Sequence, residues 1–367
     1  MIRRSFLAAT AGSGLAAGAS LLAAAAPSGG PMTRETYRGL FAYPPTPFTP
    51  DLALDEEAIR SNCRKLVRIG VDGIVMGGTT GEFYTLSEKE HLRIAEILHE
   101  ETRGTGVAGV IGATGLNTPE VIRRVSAAME VGLPAALTMQ PFYATLTKRE
   151  LLAFWRQVSA ACPKIGLIVY HFEGVKQVYT PEIFRQLAPL PNMLGSKEGH
   201  FDFKAWRTLQ TASPLVHMSA TDAGWLVELH REKAPGVGSV NLTLMPHVMR
   251  RTLQLCGEGK YAEAEQSFAR FNEFCVKVRS GTGRPFLFPP ELGDWEEYGG
   301  AARGKALAEA FGFLKVGPPR LPAIPVTAEM QKRLRGYIER TYPDLIPPVD
   351  FAEKVPAGSK MWPRPKS

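Results

Sequence analysis

Lys197 ends a short apolar run, Asn192-Met193-Leu194-Gly195-Ser196-Lys197-Glu198. An amine at the end of a buried strand is costly to desolvate unless the site uses it. Desolvation favours the neutral form, and a neutral amine is a nucleophile toward a carbonyl carbon. Gly78-Thr79-Thr80-Gly81-Glu82 follows the apolar Gly73-Ile74-Val75-Met76. Gly78 and Gly81 let backbone N–H groups approach a carboxylate closely, and the hydroxyls of Thr79 and Thr80 add donors. Glu82 reads as an organiser of this loop more than as a reactant. Leu167-Ile168-Val169-Tyr170 is an apolar run ending in a phenol, and Tyr143 follows another in Pro141-Phe142-Tyr143. Each group has a plainer reading: a lysine paired with Glu198, a tight turn, a core tyrosine. Four separate segments deliver polar groups after apolar runs, and that convergence favours chemistry.

These groups need a scaffold that brings strand ends together. Short apolar runs alternate with amphipathic helical stretches along the chain. Strands are expected at Leu40–Tyr43, Gly73–Met76, Val107–Ile111, Pro134–Met139, Ile165–Tyr170, Met193–Lys197, Leu215–Ser219 and Val237–Asn241. Between them, 55–69 carries Ile59, Cys63, Leu66 and Val67 on one helical face, and Ser87 with Glu90 forms a capping box. Further helices are expected near 119–131, 148–161, 181–187, 203–211 and 223–231. Strand–helix units of this length predict a parallel (β/α)8 TIM barrel, with its site at the carboxyl ends of the strands. A doubly wound sheet is the alternative, but no GxGxxG follows a strand. Helices at 260–278, 299–313 and 327–342 then form a C-terminal helical domain. The division is 33–257 for the barrel, 258–345 for the helical domain and 346–367 for a flexible tail.

The lysine, the GTTGE segment and the strand-end tyrosine, in this order, resemble the N-acetylneuraminate lyase and dihydrodipicolinate synthase superfamily from about Arg38 to Tyr342. The resemblance implies a Schiff base between Lys197 and pyruvate or a related 2-oxo acid, followed by carbon–carbon bond formation or cleavage with an aldehyde, without cofactor or metal. It implies that Tyr170 shuttles protons, that Thr79 links it to a second tyrosine from a neighbouring subunit, and that Tyr143 is that tyrosine. A homo-oligomer, a tetramer of tight dimers, follows.

The sequence also departs from the synthase pattern. After Tyr170 it reads His171-Phe172-Glu173-Gly174-Val175-Lys176, without the arginine that holds the aldehyde substrate's carboxylate in synthases. His171, Glu173 and Lys176 are the candidates for contact with a different electrophile. Asn117–Arg123 and Gly312–Pro318 look like the hydratase-aldolase branch, which acts on arylidene-pyruvates. Synthase and sugar-acid lyase activities are the alternatives within the class, and a 2-oxo-acid-binding protein without turnover is the alternative outside it.

Composition agrees with a large soluble core: 367 residues, 44% hydrophobic and 22% charged. The formal charge of +7 is dispersed among acidic residues, so no nucleic-acid or membrane-surface partner is expected. Cys63, Cys162, Cys256 and Cys275 have no CxxC spacing and read as small buried apolar residues. At the N-terminus, Arg3-Arg4-Ser5-Phe6-Leu7 precedes an Ala/Gly/Leu run with an Ala23-Ala24-Ala25 cleavage pattern. It resembles a twin-arginine export signal, which implies a periplasmic or otherwise exported enzyme with no membrane span after export. Residues 1–32 are assigned to this signal and its linker.

Overall fold

The computed structural model describes residues 30–363, apart from 173, 176, 178, 200, 201, 221, 222 and 280–287. The segment expected as an export signal lies outside the described residues up to position 29. Strands β1 (Gly39–Ala42), β2 (Gly73–Met76), β3 (Ala108–Gly112), β4 (Ala135–Thr138), β5 (Gly166–Phe172), β6 (Met193–Gly199), β7 (Val216–Ser219) and β8 (Gly236–Ser239) close into one parallel barrel. The barrel shuts where β1 pairs with β8, from Gly39 opposite Gly236 to Ala42 opposite Ser239. The expected (β/α)8 architecture is the one observed.

The first six helices begin where side chains can satisfy their first N–H groups. Asp55 caps α1 (Glu56–Arg68) and Asn117 caps α3 (Thr118–Val131). Ser87 with Glu90, and Thr147 with Glu150, form full capping boxes on α2 (Glu88–Thr102) and α4 (Lys148–Ala161). Thr180 and Asp202 cap α5 (Pro181–Leu187) and α6 (Phe203–Ala212). Next come α7 (Leu226–Arg231) and α8 (Pro246–Gly257); the latter has no counterpart in the sequence expectation. Helices α9 (Tyr261–Phe274), α10 (Gly300–Phe311) and α11 (Ala328–Thr341) follow as the main helical part after the barrel. It shares one continuous apolar cluster with the outer face of the barrel. Among the described residues no helix is long and apolar enough to cross a membrane.

Two apolar layers result from strand alternation. On β5, Leu167 and Val169 face the helices, while Ile168 and Tyr170 face the lumen. On β6 the alternation is interrupted. Met193 faces the helices and Leu194 the lumen, which would place residue 196 inward and Lys197 outward. Leu167 pairs with Met193, but Ile168 pairs with Gly195, so one residue of β6 is skipped. This bulge restores Lys197 to the lumen face. Gly195 sits at φ 153°, and a Cβ there would lie 1.7 Å from the carbonyl oxygen of Val216. No side chain fits that approach.

The chain end is packed, contrary to the expected flexible tail. After α12 (Phe351–Lys354), Met361 and Trp362 are buried, as are Ala352 and Val355. The Met361 N–H donates to Gly70 O at 2.9 Å, and Lys360 Nζ donates to Val71 O at 3.1 Å and to Gly106 O at 2.9 Å. These carbonyls precede β2 and β3, so the tail seals the amino end of the barrel, away from the strand ends that carry the threonines and Lys197. All four cysteines are buried thiols.

Two outcomes follow from this packing. A chain ending at residue 350 loses the burial of Val355, Met361 and Trp362, at about 1.5–3 kcal/mol each. Its urea midpoint falls well below that of the full chain; an equal midpoint would show the tail to be unimportant. Gly195→Ala forces the Val216 carbonyl or the strand to move and costs about 3 kcal/mol or more. Denaturant unfolding measures it, and a loss under about 1 kcal/mol would mean that the bulge relaxes freely.

Candidate active site

The carboxyl ends of β1, β2, β4, β5 and β6 surround a small, narrow hollow, with Lys197 and Tyr170 in its wall. Lys197 is 9% exposed. Its Nζ lies 4.0 Å from the ring centroid of Tyr170 and 4.6 Å from that of Tyr43. Among the described residues its recorded contacts are these aromatic faces and no carboxylate. Aromatic faces attract a cation through their quadrupole without forming an ion pair with it, so the surroundings of Nζ suit a cationic nitrogen without a neutralising carboxylate.

Its sequence neighbour Glu198 does not neutralise it. Adjacent strand residues face opposite sides, and Glu198 turns into the layer between strands and helices. There its Oε2 meets His171 Nδ1 at 2.7 Å and its Oε1 accepts from the Ser196 hydroxyl. Ser196 Oγ also lies 2.7 Å from His217 Nδ1. Burial by itself pushes the Glu198 carboxyl up, but hydrogen bonding to His171 and His217 outweighs this and holds it well below the usual range. The simple reading of a Lys197–Glu198 pair is thereby replaced by two separate environments, one on each face of β6.

The segment from Gly78 to Gly81 forms the opposite wall of the hollow. Thr79 is exposed, Thr80 and Gly78 are half-buried, and Gly81 is buried. Gly78 faces open space where a Cβ would stand, which leaves its backbone approachable by a ligand. At Gly81 a Cβ would come within 2.9 Å of Gly77 N, so the tight return of the loop requires glycine. The loop is held by Glu82 N–H to Thr79 O at 3.1 Å, Phe83 N–H to Gly78 O at 3.2 Å and Thr46 Oγ1 to Gly81 O at 2.7 Å. Glu82 points away from the hollow and is buried, as an organising residue should be.

Thus Lys197, Tyr170, Thr79, Thr80, Gly78 and Gly81 converge on one hollow. Tyr143 does not join them within the chain: it is 93% exposed and outside the lining. His171 is a correction. It was a candidate for contact with the electrophile, but the alternation that turns Tyr170 inward turns His171 outward. It is buried against Tyr179 and Phe184 and bound to Glu198. Glu173 and Lys176 lie outside the described residues.

Tyr43 was missed by sequence reasoning. It follows β1, its ring is buried beside Lys197, and burial, reinforced by Tyr170, raises its phenol well above the ordinary value. Gly238 on β8 makes room for it, since a Cβ there would lie 2.6 Å from the Tyr43 ring. Its signal was present: an aromatic ending an apolar strand, the pattern used to select Tyr170.

Comparison with known proteins agrees with this geometry. Residues 36–281 match the Dihydrodipicolinate synthetase family. The 4-hydroxy-tetrahydrodipicolinate synthase of Mycobacterium leprae (strain Br4923) is 28% identical over 288 residues, 77% of this chain and 88% of that protein. That of Methanospirillum hungatei JF-1 is 29% identical over 315 residues, 83% and 99% of the two chains. Among solved structures, YagE, a prophage protein of the dihydrodipicolinic acid synthase family from E. coli K12, in complex with pyruvate, superposes with a TM-score of 0.71 at 20% identity, over 83% of this chain and 98% of that one. Proteus mirabilis N-acetylneuraminate lyase gives 0.70 at 20% identity, over 83% and 99%. At such identities the structural likeness speaks for the fold, and the family match over most of the barrel speaks for descent. This chain belongs to the dihydrodipicolinate synthetase family.

Proposed function

We propose that this protein is a Schiff-base lyase that uses pyruvate or a related 2-oxo acid and joins it to, or releases it from, an aldehyde. The observation that carries this reading is the Lys197 amine, buried between two tyrosine rings and facing a loop of backbone and hydroxyl donors. The Gly78–Gly81 segment receives the carboxylate of the 2-oxo acid. Neutral Nζ attacks the ketone carbon, and loss of water leaves an iminium. Loss of a C3 proton gives an enamine, which adds to the aldehyde carbonyl; water then releases the product and restores the amine. In reverse, the same steps cleave a carbon–carbon bond. Tyr170 moves protons at the imine, and Tyr43 adds a second aromatic face to the cationic stage.

The hollow includes Val75 and Leu137 beside the tyrosines, and Phe172 stacks on Tyr170 at 5.6 Å between centroids. This apolar surround, with no arginine following Tyr170, suits a hydratase-aldolase acting on an aromatic partner. The curated relatives' names favour the synthase reaction instead. A turnover screen that pairs pyruvate with aromatic aldehydes and, separately, with aspartate semialdehyde distinguishes them.

Borohydride in the presence of pyruvate is expected to inactivate the enzyme and add the reduced pyruvyl mass. Lys197→Ala abolishes the adduct. Tyr170→Phe lowers kcat by roughly 10²-fold or more while leaving adduct formation possible. An adduct that persists in Lys197→Ala contradicts the assignment, and parental kcat in Tyr170→Phe removes the proton-transfer role.

The exposure of Tyr143 supports a shared site, in which Tyr143 of the partner subunit completes the proton path beside Thr79. Tyr143→Phe and Lys197→Ala are each expected to be nearly inactive. Mixed and allowed to exchange subunits, they regain part of the parental rate, because one site in each mixed dimer has both groups. A fully active monomer in sedimentation, or no recovery after confirmed exchange, would count against it.

A further inference from the structure

The outer side of the Gly78–Glu82 loop is gripped by residues more than two hundred positions further along the chain. Glu82 has φ 54°, left-handed for a non-glycine residue, a conformation held only when the surroundings enforce it. Lys305 of α10, 2% exposed, places Nζ 2.8 Å from Glu82 Oε1. The other carboxylate oxygen accepts the Arg320 backbone N–H at 2.9 Å. Lys305 also donates to Pro318 O at 2.8 Å, and its ammonium stands 4.1 Å from the centroid of the Phe48 ring. The Arg320 guanidinium covers the same ring at 3.9 Å and is tied to Glu90 by two hydrogen bonds. Burial draws the Lys305 amine down to about 8 against the opposing pull of Glu82.

A buried pair of this kind cannot separate without leaving two uncompensated charges. Only three residues lie between Glu82 and Gly78, and two of the loop's hydrogen bonds, Glu82 N–H to Thr79 O and Phe83 N–H to Gly78 O, start at or beside Glu82. Fixing the carboxylate therefore fixes the backbone that faces the hollow. We infer that Lys305 is a positioning residue of the active site: through Glu82 it sets the pose in which Thr79, Thr80 and the loop N–H groups receive the substrate carboxylate. It touches no substrate itself. The helical part after the barrel thereby contributes to binding as well as to packing. The inference rests on the 2-oxo-acid reading of the hollow, and its test separates the two.

The test compares the parent with Lys305→Met/Glu82→Gln, which removes both charges at nearly constant shape, and with Lys305→Arg, which keeps the charge. The pyruvate concentration for half-maximal borohydride trapping is expected to rise about tenfold or more in the double variant, with the saturated trapping rate within about threefold of the parent. Lys305→Arg recovers much of the loss. Amide hydrogen exchange accelerates at residues 78–83 and stays parental in β5 and β6. A double variant that folds, traps pyruvate at the parental concentration and exchanges at the parental rate overturns the inference. If the double variant does not fold, Glu82→Gln alone is expected to raise the half-saturating concentration several-fold, and an unchanged value overturns the inference. If the parent itself traps no pyruvate, the 2-oxo-acid reading fails. Hydrogen exchange then decides the latch alone: faster exchange confined to 78–83 supports it, and unchanged exchange overturns it.

Discussion

A β-strand shows alternate side chains to alternate faces, and β6 has to show both Leu194 and Lys197 to the lumen. The three-residue spacing is incompatible with regular alternation. The bulge at Gly195 resolves it, and the approach of the Val216 carbonyl makes glycine the residue that can stand there. The rest of the site inherits this parity. With Lys197 inward, Ser196 and Glu198 are outward. The carboxylate nearest to the amine in sequence is thus on the far side of the sheet, hydrogen-bonded to His171 and Ser196. A regular strand would exchange the two, burying the ammonium among helices and turning the carboxylate into the hollow.

The separation of environments across β5 and β6 gives each face its own task. The lumen face is aromatic: Tyr43, Tyr170 and, stacked above, Phe172. It sets aromatic faces, which attract a cation, beside the Lys197 nitrogen. At the level where the reactive side chains project, the otherwise apolar outer face carries Glu198, His171 and His217, which link β5, β6 and β7. Rigidity in that layer keeps the lysine and tyrosine in fixed relation, which near-attack geometry requires.

The barrel was legible in the sequence because alternation of short apolar runs with helical periodicity is a strong signal, and because caps such as Ser87 with Glu90 mark helix starts. The loop and the strand-end residues were legible because their types are unusual at the ends of apolar strands. Other features were hidden. Tyr43 ends an apolar strand as Tyr170 does, but only the closure of the barrel brings it to the lysine. His171 was read as a rim residue because the length of β5 was underestimated; two further residues of strand carry it into the layer behind the sheet. Lys305 is an unremarked lysine in a helix whose partner lies 223 positions away, a contact that no local pattern encodes. The packed end at Met361 and Trp362 has no periodicity, because it is irregular chain fitted to the barrel floor.

In the proposed mechanism the bulge at Gly195 brings Lys197 to the lumen as the covalent nucleophile. A crystal structure of the protein reduced with borohydride in the presence of pyruvate decides this. Continuous density is expected from Lys197 Nζ to a three-carbon carboxylate. The nitrogen should lie between the Tyr43 and Tyr170 rings, with the carboxylate at Thr79 and Thr80, and Leu194 and Lys197 on the same face of β6. Density on another lysine, or a regular β6 with Lys197 turned toward the helices, would contradict it.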